Sequence, residues 1–94
     1  MDIYKVEITK KAIKELQRIP AHVVLKLQSW IEAVGISGLR EVRKLKGYHD
    51  EPLKGNREGQ RSIRLSGAYR AIYLIDVTRI VHFVEIIEVN KHDY

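Results

Sequence analysis

One segment near the end of the chain constrains the fold more than any other. It is apolar at both alternating sets of positions, with Ile80, Val84 and Ile86 in one set and Val81, Phe83, Ile87 and Val89 in the other. The side chains of a strand point alternately to its two faces, so this pattern predicts a strand that is covered on both sides for much of its length. We therefore expect residues 80–89 to lie in the middle of a sheet.

The first third of the chain predicts a strand followed by a helical hairpin. Residues 3–8 alternate and contain β-branched and aromatic side chains, which favours a strand. Thr9 is suited to cap a first helix, and Pro20 is preorganised to begin a second. The apolar positions of the first helix recur at a spacing of three: Ile13, Leu16 and Ile19. Two antiparallel helices joined by a short proline turn form a hairpin.

The second helix is longer and is expected to extend to about Val34, with Gly35 and Gly38 ending it. Its predicted buried stripe consists of Val24, Leu27, Ile31 and Val34, widened by Val23 and Trp30. Beyond it, residues 39–45 have the spacing of a further helical turn or two. Residues 48–59 are polar and rich in turn residues, which predicts an exposed loop.

Three extended stretches complete the chain: Gln60–Leu65, Tyr69–Asp76 and Ile80–Val89. Residues 76–79 are short enough for a hairpin connection. The predicted order is β-α-α-β-β-β, in a single domain over residues 1–94. We expect an α+β fold in which a two-helix hairpin packs on one face of a mostly antiparallel sheet and leaves the other face free.

Composition excludes several kinds of site. The chain has no cysteine, so disulfides, thiolate metal sites and cysteine nucleophiles are excluded. No metal-ligand pattern or glycine-rich phosphate loop occurs, so neither a metal nor a nucleotide cofactor is indicated. No apolar run approaches the length of a membrane span, and a cytoplasmic protein is the default expectation.

Positive charge is concentrated in the middle of the chain. The formal charge is +5, and residues 40–70 contain nine lysines and arginines against four acidic residues. Clustered charge of this kind indicates a polyanionic partner. The alternative interpretation is the solvated face of an ordinary basic protein.

The turn between the two middle strands decides where the arginines lie. A two-residue loop at Ser66-Gly67 places Arg64 and Arg70 on opposite faces of the sheet. A three-residue loop, with Gly67 in the left-handed conformation, places Arg64 directly opposite Arg70. We favour the second, because it directs the neighbouring apolar side chains to the helices. Like charges in register destabilise a sheet unless an anion lies between them.

Two groups of residues carry candidate chemistry. Lys54, Arg64 and Arg70 have the charges needed to hold a phosphate, although arginines on an open sheet face also serve solubility. His92 and Tyr94 follow the predicted central strand and belong to the residue types that move protons, although chain termini are often polar because they fray. His49 lies in the loop and is either a further acid or base or a solvated side chain.

The sequence also resembles a known family. Residues 51–59 read EPLKGNREG, residues 61–65 read RSIRL, residues 69–73 read YRAIY, and residues 90–94 read NKHDY. These motifs resemble the RelE/ParE toxin superfamily, and most closely its HigB-like and YafQ-like branch. The resemblance covers essentially the whole chain, including the β-α-α-β-β-β order.

The resemblance implies the toxin of a type II toxin–antitoxin system that cleaves mRNA in the ribosomal A site by metal-independent attack of the 2′-hydroxyl. It implies a cognate antitoxin protein encoded beside it, contact with DNA only through the antitoxin complex, and no membrane. The catalytic positions carried over are Lys54, Arg64, Arg70, His92 and Tyr94. The further residues expected to bind RNA are His49, Arg57, Arg61, Lys91, Arg43 and Lys46. A ParE-like inhibitor of DNA gyrase and an inert nucleic-acid-binding module are the alternatives.

Overall fold

The computed structural model describes residues 2–91, in which one strand is followed by three α-helices and then by four strands. A strand β1 (Val6–Ile8) leads into the helices α1 (Lys10–Leu16), α2 (Ala21–Ser37) and α3 (Leu39–Val42). The rest of the described chain forms β2 (Glu51–Pro52), β3 (Arg61–Arg64), β4 (Tyr69–Asp76) and β5 (Phe83–Lys91), with short 3₁₀ turns at Lys46–Tyr48 and Gly55–Arg57.

The strands form one five-stranded sheet in the order β1-β5-β4-β3-β2. β1 runs parallel to β5, and every other neighbouring pair is antiparallel. The apolar β5 therefore lies inside the sheet between β1 and β4, as its two-sided pattern predicts. The expected α+β fold with a mostly antiparallel sheet is confirmed.

The core lies between the helices and one face of this sheet. On α2 it contains Val23, Leu27, Trp30 and Val34, all fully buried. The Trp30 ring packs on Tyr73 of β4 with 5.1 Å between ring centroids. The buried stripe of α2 is therefore centred on these four residues, whereas Ile31, which was predicted to lie in the stripe, is only partly buried at its edge. On α1 the prediction for Ile13 is wrong, because Ala12 is buried in its place and Ile13 is half exposed.

The C-terminal end of α2 also differs from the prediction. Gly35 lies within the helix, which continues to Ser37. Gly38 ends it with a φ of +86°, a conformation that glycine adopts without steric cost, and its N–H donates to the carbonyl of Val34 at 2.9 Å. None of the helices formed by residues 2–91 has both the length and the apolar composition that a membrane span requires.

The connection between β4 and β5 is longer than residues 76–79. β5 begins at Phe83, and Ile80 and Val81 are exposed rather than part of a strand. The Asp76 carboxylate accepts hydrogen bonds from the backbone N–H of Thr78 at 2.8 Å and from its hydroxyl at 2.6 Å. These bonds turn the chain out of the sheet, so the apolar pattern extends beyond the strand itself.

The loop predicted at residues 48–59 is partly ordered as sheet. Glu51 and Pro52 form the edge strand β2, in register with Ser62 and Arg61 of β3. Proline is tolerated there because an edge strand has one side without hydrogen-bonding partners. The described chain therefore contains one strand more than the sequence predicts. This strand brings residues 49–51 alongside β3.

Candidate active site

Arg64 and Arg70 lie directly opposite each other on the face of the sheet away from the helices. They are register partners in the antiparallel pair of β3 and β4. The connecting loop has the predicted three residues, because the N–H of Leu65 donates to the carbonyl of Tyr69 at 2.9 Å. The predicted left-handed Gly67 is wrong, since Gly67 is not among the positive-φ glycines. Instead, the Ser66 hydroxyl accepts the N–H groups of residues 68 and 69, both at 3.2 Å.

The two arginines line a shallow pocket at this end of the sheet. Its other lining residues are His49, Glu51, Ser62, Ile63, Ser66, Gly67 and Tyr69. Within residues 2–91, neither the Arg64 nor the Arg70 guanidinium has an ion-pair partner, and the buried Nε of Arg70 has no hydrogen-bond partner. Two cations without an ion-pair partner among the described residues give this pocket a preference for an anion.

His49 lies at the rim of the same pocket. It occupies the left-handed region with a φ of +47°, the one non-glycine residue with positive φ among residues 2–91. Its Nε2 lies 3.3 Å from Oε2 of Glu51, and both side chains are more than half exposed. An imidazole and a carboxylate in contact beside two arginines are groups that can accept and donate protons at a bound phosphate ester.

A buried carboxylate behind the pocket was missed by the sequence analysis. The Asp50 side chain is fully buried, and it accepts hydrogen bonds from Nε of Arg61 and from the hydroxyl of Tyr73, both at 2.6 Å. Burial, together with the hydrogen bond to Asp50, raises the pKa of Tyr73 to about 12. No local sequence pattern marks Asp50, because its partners lie 11 and 23 residues further along the chain.

Lys54 does not line the arginine pocket. It follows Leu53, whose N–H donates to the carbonyl of Gln60, so it lies near the opposite end of β3 from Arg64. This is five register positions away, or roughly 16 Å along the strands. The structure therefore brings His49 to the two arginines and keeps Lys54 apart from them.

Two of the basic residues expected to bind RNA are engaged within the protein. Arg61 points to the helix face and is paired with Asp50. Arg57 reaches from its loop to Glu88 of β5, donating to both carboxylate oxygens at 3.1 and 3.2 Å. Burial alone would raise the pKa of Glu88, but hydrogen bonds from Lys11 and Arg57 hold it below its ordinary 4.5. These contacts give both arginines a structural role. The contact of Arg57 with Glu88 also covers part of the open face of the sheet.

The remaining predicted residues are distributed around the site. Lys46 is exposed in the first 3₁₀ turn, Arg43 lies 3.5 Å from the Tyr73 hydroxyl, and Lys91 ends β5 opposite Tyr69. His92 and Tyr94 lie outside the described residues. Among the described residues, no group of three or more His, Asp or Glu side chains could hold a metal ion.

Neither family models nor the sequences of curated proteins match the chain, but solved structures do. A YoeB/ParE toxin from Agrobacterium tumefaciens has a TM-score of 0.71 at 23% identity, over 95% of this chain and 99% of that one. YafQ from Escherichia coli has a TM-score of 0.71 at 15% identity, over 94% and 92%. The toxin–antitoxin complex RelBE2 from Mycobacterium tuberculosis has a TM-score of 0.60 at 24% identity, over 96% and 99%.

The chain has the fold of these toxins. This is the fold that the resemblance of the motifs implies. One fold can carry more than one function, so the fold alone does not define the activity of this chain. In this chain, the arginine pair, His49 and Glu51 lie together at one end of the open sheet face.

Proposed function

We propose that the chain is the toxin of a toxin–antitoxin pair and that it is an endoribonuclease acting on translated mRNA. The observation that carries the proposal is the register pair of Arg64 and Arg70, which have no ion-pair partner among residues 2–91. Such a pair costs stability in the free protein. A phosphodiester between the two guanidinium groups would remove that repulsion.

The proposed reaction is attack of an RNA 2′-hydroxyl on the adjacent phosphorus. Negative charge on the phosphoryl oxygens increases as the new P–O bond forms and the 5′-oxygen leaves. Arg64 and Arg70 stabilise this charge, because planar guanidinium groups on strands are preorganised donors for phosphate oxygens. The pocket needs no movement of secondary structure to present them.

Proton transfer in this proposal uses one histidine that lines the pocket and two residues carried over from the family resemblance. His49 is in place at the rim of the pocket. His92 and Tyr94 are the further proposed acid and base positions, on the strength of the family resemblance. The exposed Lys54 and Lys46, which lie away from the pocket, are assigned to association with RNA, which is driven by phosphate contacts and weakens with salt.

The proposed protein partner is a cognate antitoxin. One structural neighbour is described as a toxin–antitoxin complex and another as a complex of YafQ with DinJ. An antitoxin that covers the arginine pocket would neutralise the toxin by excluding RNA from it. Action on ribosome-bound mRNA places the proposed function in the cytoplasm, in a single toxin domain, with DNA contacted only through the antitoxin.

Induced expression with primer extension on cellular mRNA tests this proposal. Wild-type protein should produce cuts within translated reading frames, and Arg70→Ala should reduce them by about 100-fold or more. Arg18→Ala is the matched control, because it removes the same charge from a residue that does not line the pocket. Undiminished cutting by a folded Arg70→Ala variant would refute the assignment. Inhibition of supercoiling without mRNA cleavage would support the gyrase alternative instead.

A further inference from the structure

The most deeply buried carboxylate near the pocket does not face it. Asp50 is fully buried and bonded to Arg61 and Tyr73 on the helix side of the sheet, whereas its neighbour His49 lines the pocket on the open side. We propose that Asp50 is a positioning residue, which fixes the backbone so that the His49 imidazole is held beside Arg64 and Arg70. This inference rests on the proposed function and extends it to a residue that does not contact RNA.

The first argument is the strength of the anchor. Both bonds to Asp50 are 2.6 Å long, and Arg61 and Tyr73 are themselves register partners on neighbouring strands. Charge-assisted hydrogen bonds of this length are the strongest that side chains form. The Asp50 carboxylate is therefore tied to two strands of the sheet at once.

The second argument is the backbone that the anchor holds. On one side of His49, the buried Tyr48 ends a 3₁₀ turn, and the N–H of His49 donates to the carbonyl of Lys46 at 3.1 Å. On the other side, Glu51 is already in register with Ser62 of β3. His49 adopts the left-handed conformation between these two fixed points. The left-handed conformation costs a non-glycine residue free energy, which the contacts around it have to offset, and the two bonds of the adjacent Asp50 are among these contacts.

The consequence is that loss of the anchor should act on catalysis through His49. Without the two bonds to Asp50, His49 can relax to an ordinary backbone conformation, which moves its imidazole away from the arginine pair. A displacement of about 1 Å in a reacting group can lower the rate by about 100-fold. Binding of the phosphate by Arg64 and Arg70 should change little.

A double-mutant cycle in mRNA cleavage tests the inference. Asp50→Ala should lower kcat by about 100-fold with KM unchanged, and it should lower it no further in a His49→Ala background. Glu58→Gln is the control, because it removes an acidic charge from the exposed loop nearby and should leave kcat at the wild-type value. Equal losses from Asp50→Ala in the two backgrounds would overturn the proposal, since a merely structural defect adds to the His49 defect.

If the Asp50→Ala variant does not fold, the Tyr73→Phe variant provides the same test. It removes one of the two anchoring bonds and leaves the aromatic ring in the core. It should give a smaller loss of kcat that again disappears in the His49→Ala background. Persistence of that loss would contradict the role assigned to Asp50.

A spectroscopic readout separates this proposal from the activity itself. The His49 imidazole resonances, assigned with a His49→Gln variant, should shift when inorganic phosphate is added to the wild-type protein and shift much less in Tyr73→Phe. A smaller shift in Tyr73→Phe supports the positioning role whether or not the wild-type protein cleaves RNA. Absence of RNA cleavage by the wild-type protein would refute only the proposed function. Equal shifts in both proteins would refute the positioning role even if RNA is cleaved.

Discussion

Replacing Arg64 should make the protein more stable while making it less active. Arg64 is exposed and faces Arg70 across the strand pair, and neither side chain has an ion-pair partner among residues 2–91. In Arg64→Gln the hydrophilic side chain is retained but the repulsion is removed. Replacing a solvated surface arginine that has no like-charged register partner should give no such gain in stability.

The size of the gain follows from the register. Directly opposite side chains have Cβ atoms about 5 Å apart, and guanidinium charges about 7 Å apart repel by roughly 0.6 kcal/mol at the dielectric constant of water. Because Arg64 is exposed, the dielectric constant of water, which gives the smallest repulsion, is the appropriate one to use. For a domain of this size, a change of about 0.6 kcal/mol raises Tm by roughly 2–5 °C.

Thermal denaturation at low and high salt measures the effect. The Tm of Arg64→Gln should exceed that of the wild type in low salt, and the difference should vanish near 1 M NaCl, where the Debye length is about 3 Å. Arg40→Gln is the contrasting control. The backbone N–H groups of Arg40 and Ile3 lower the pKa of the Asp2 carboxyl, and the nearby Arg40 charge lowers it further, so this substitution removes an attraction instead of a repulsion. A lower Tm for Arg64→Gln in low salt would refute the account of the arginine pair.

Two further predictions concern the groups around the site. Tyr73→Phe should lower the free energy of unfolding by about 1.5–3 kcal/mol in urea denaturation at neutral pH. Because the pKa of Tyr73 is about 12 in the folded protein against an ordinary 10, its stabilisation is present below pH 10 and is lost as pH rises from about 10 to 12. The wild-type advantage should therefore shrink over that range, and an advantage that stays constant would count against the buried hydroxyl. Glu88→Gln should lose about 1 kcal/mol near pH 7, because Arg57 and Lys11 lose a charged partner. The pKa of Glu88 is lowered, so this difference should diminish as pH falls through and below 4.5, and equal losses at pH 3 and pH 7 would contradict the ion-pair account.

Periodicity was sufficient to predict the main architecture. The two-sided apolar pattern places β5 inside the sheet, and strand parity places Arg64 opposite Arg70, because both depend only on side-chain alternation and loop length. The turn itself was predicted for the wrong reason. A serine hydroxyl that accepts two backbone N–H groups replaces the left-handed glycine.

Sequence patterns could not predict contacts between residues that are far apart in the chain. β2 consists of only two residues and is defined by its pairing with β3, so its own sequence does not indicate a strand. Asp50 and Arg57 look like ordinary charged loop residues until their partners, Tyr73 and Glu88, are placed by the fold. The arginines in the middle of the chain therefore include two in the pocket, which have no ion-pair partner among the described residues, and others, such as Arg57 and Arg61, that hold the protein together.

Cleavage of a translated mRNA with a single modified sugar tests the central claim most directly. In a translation reaction with purified protein, an mRNA should be cut at its preferred site. The same mRNA with a 2′-deoxynucleotide on the 5′ side of the scissile phosphate should remain intact at that bond, because the attacking group is missing. Arg70→Ala should leave both messages intact. Equal cutting of the two messages by the wild-type protein would contradict the proposed mechanism, and equal cutting by Arg70→Ala would contradict the site.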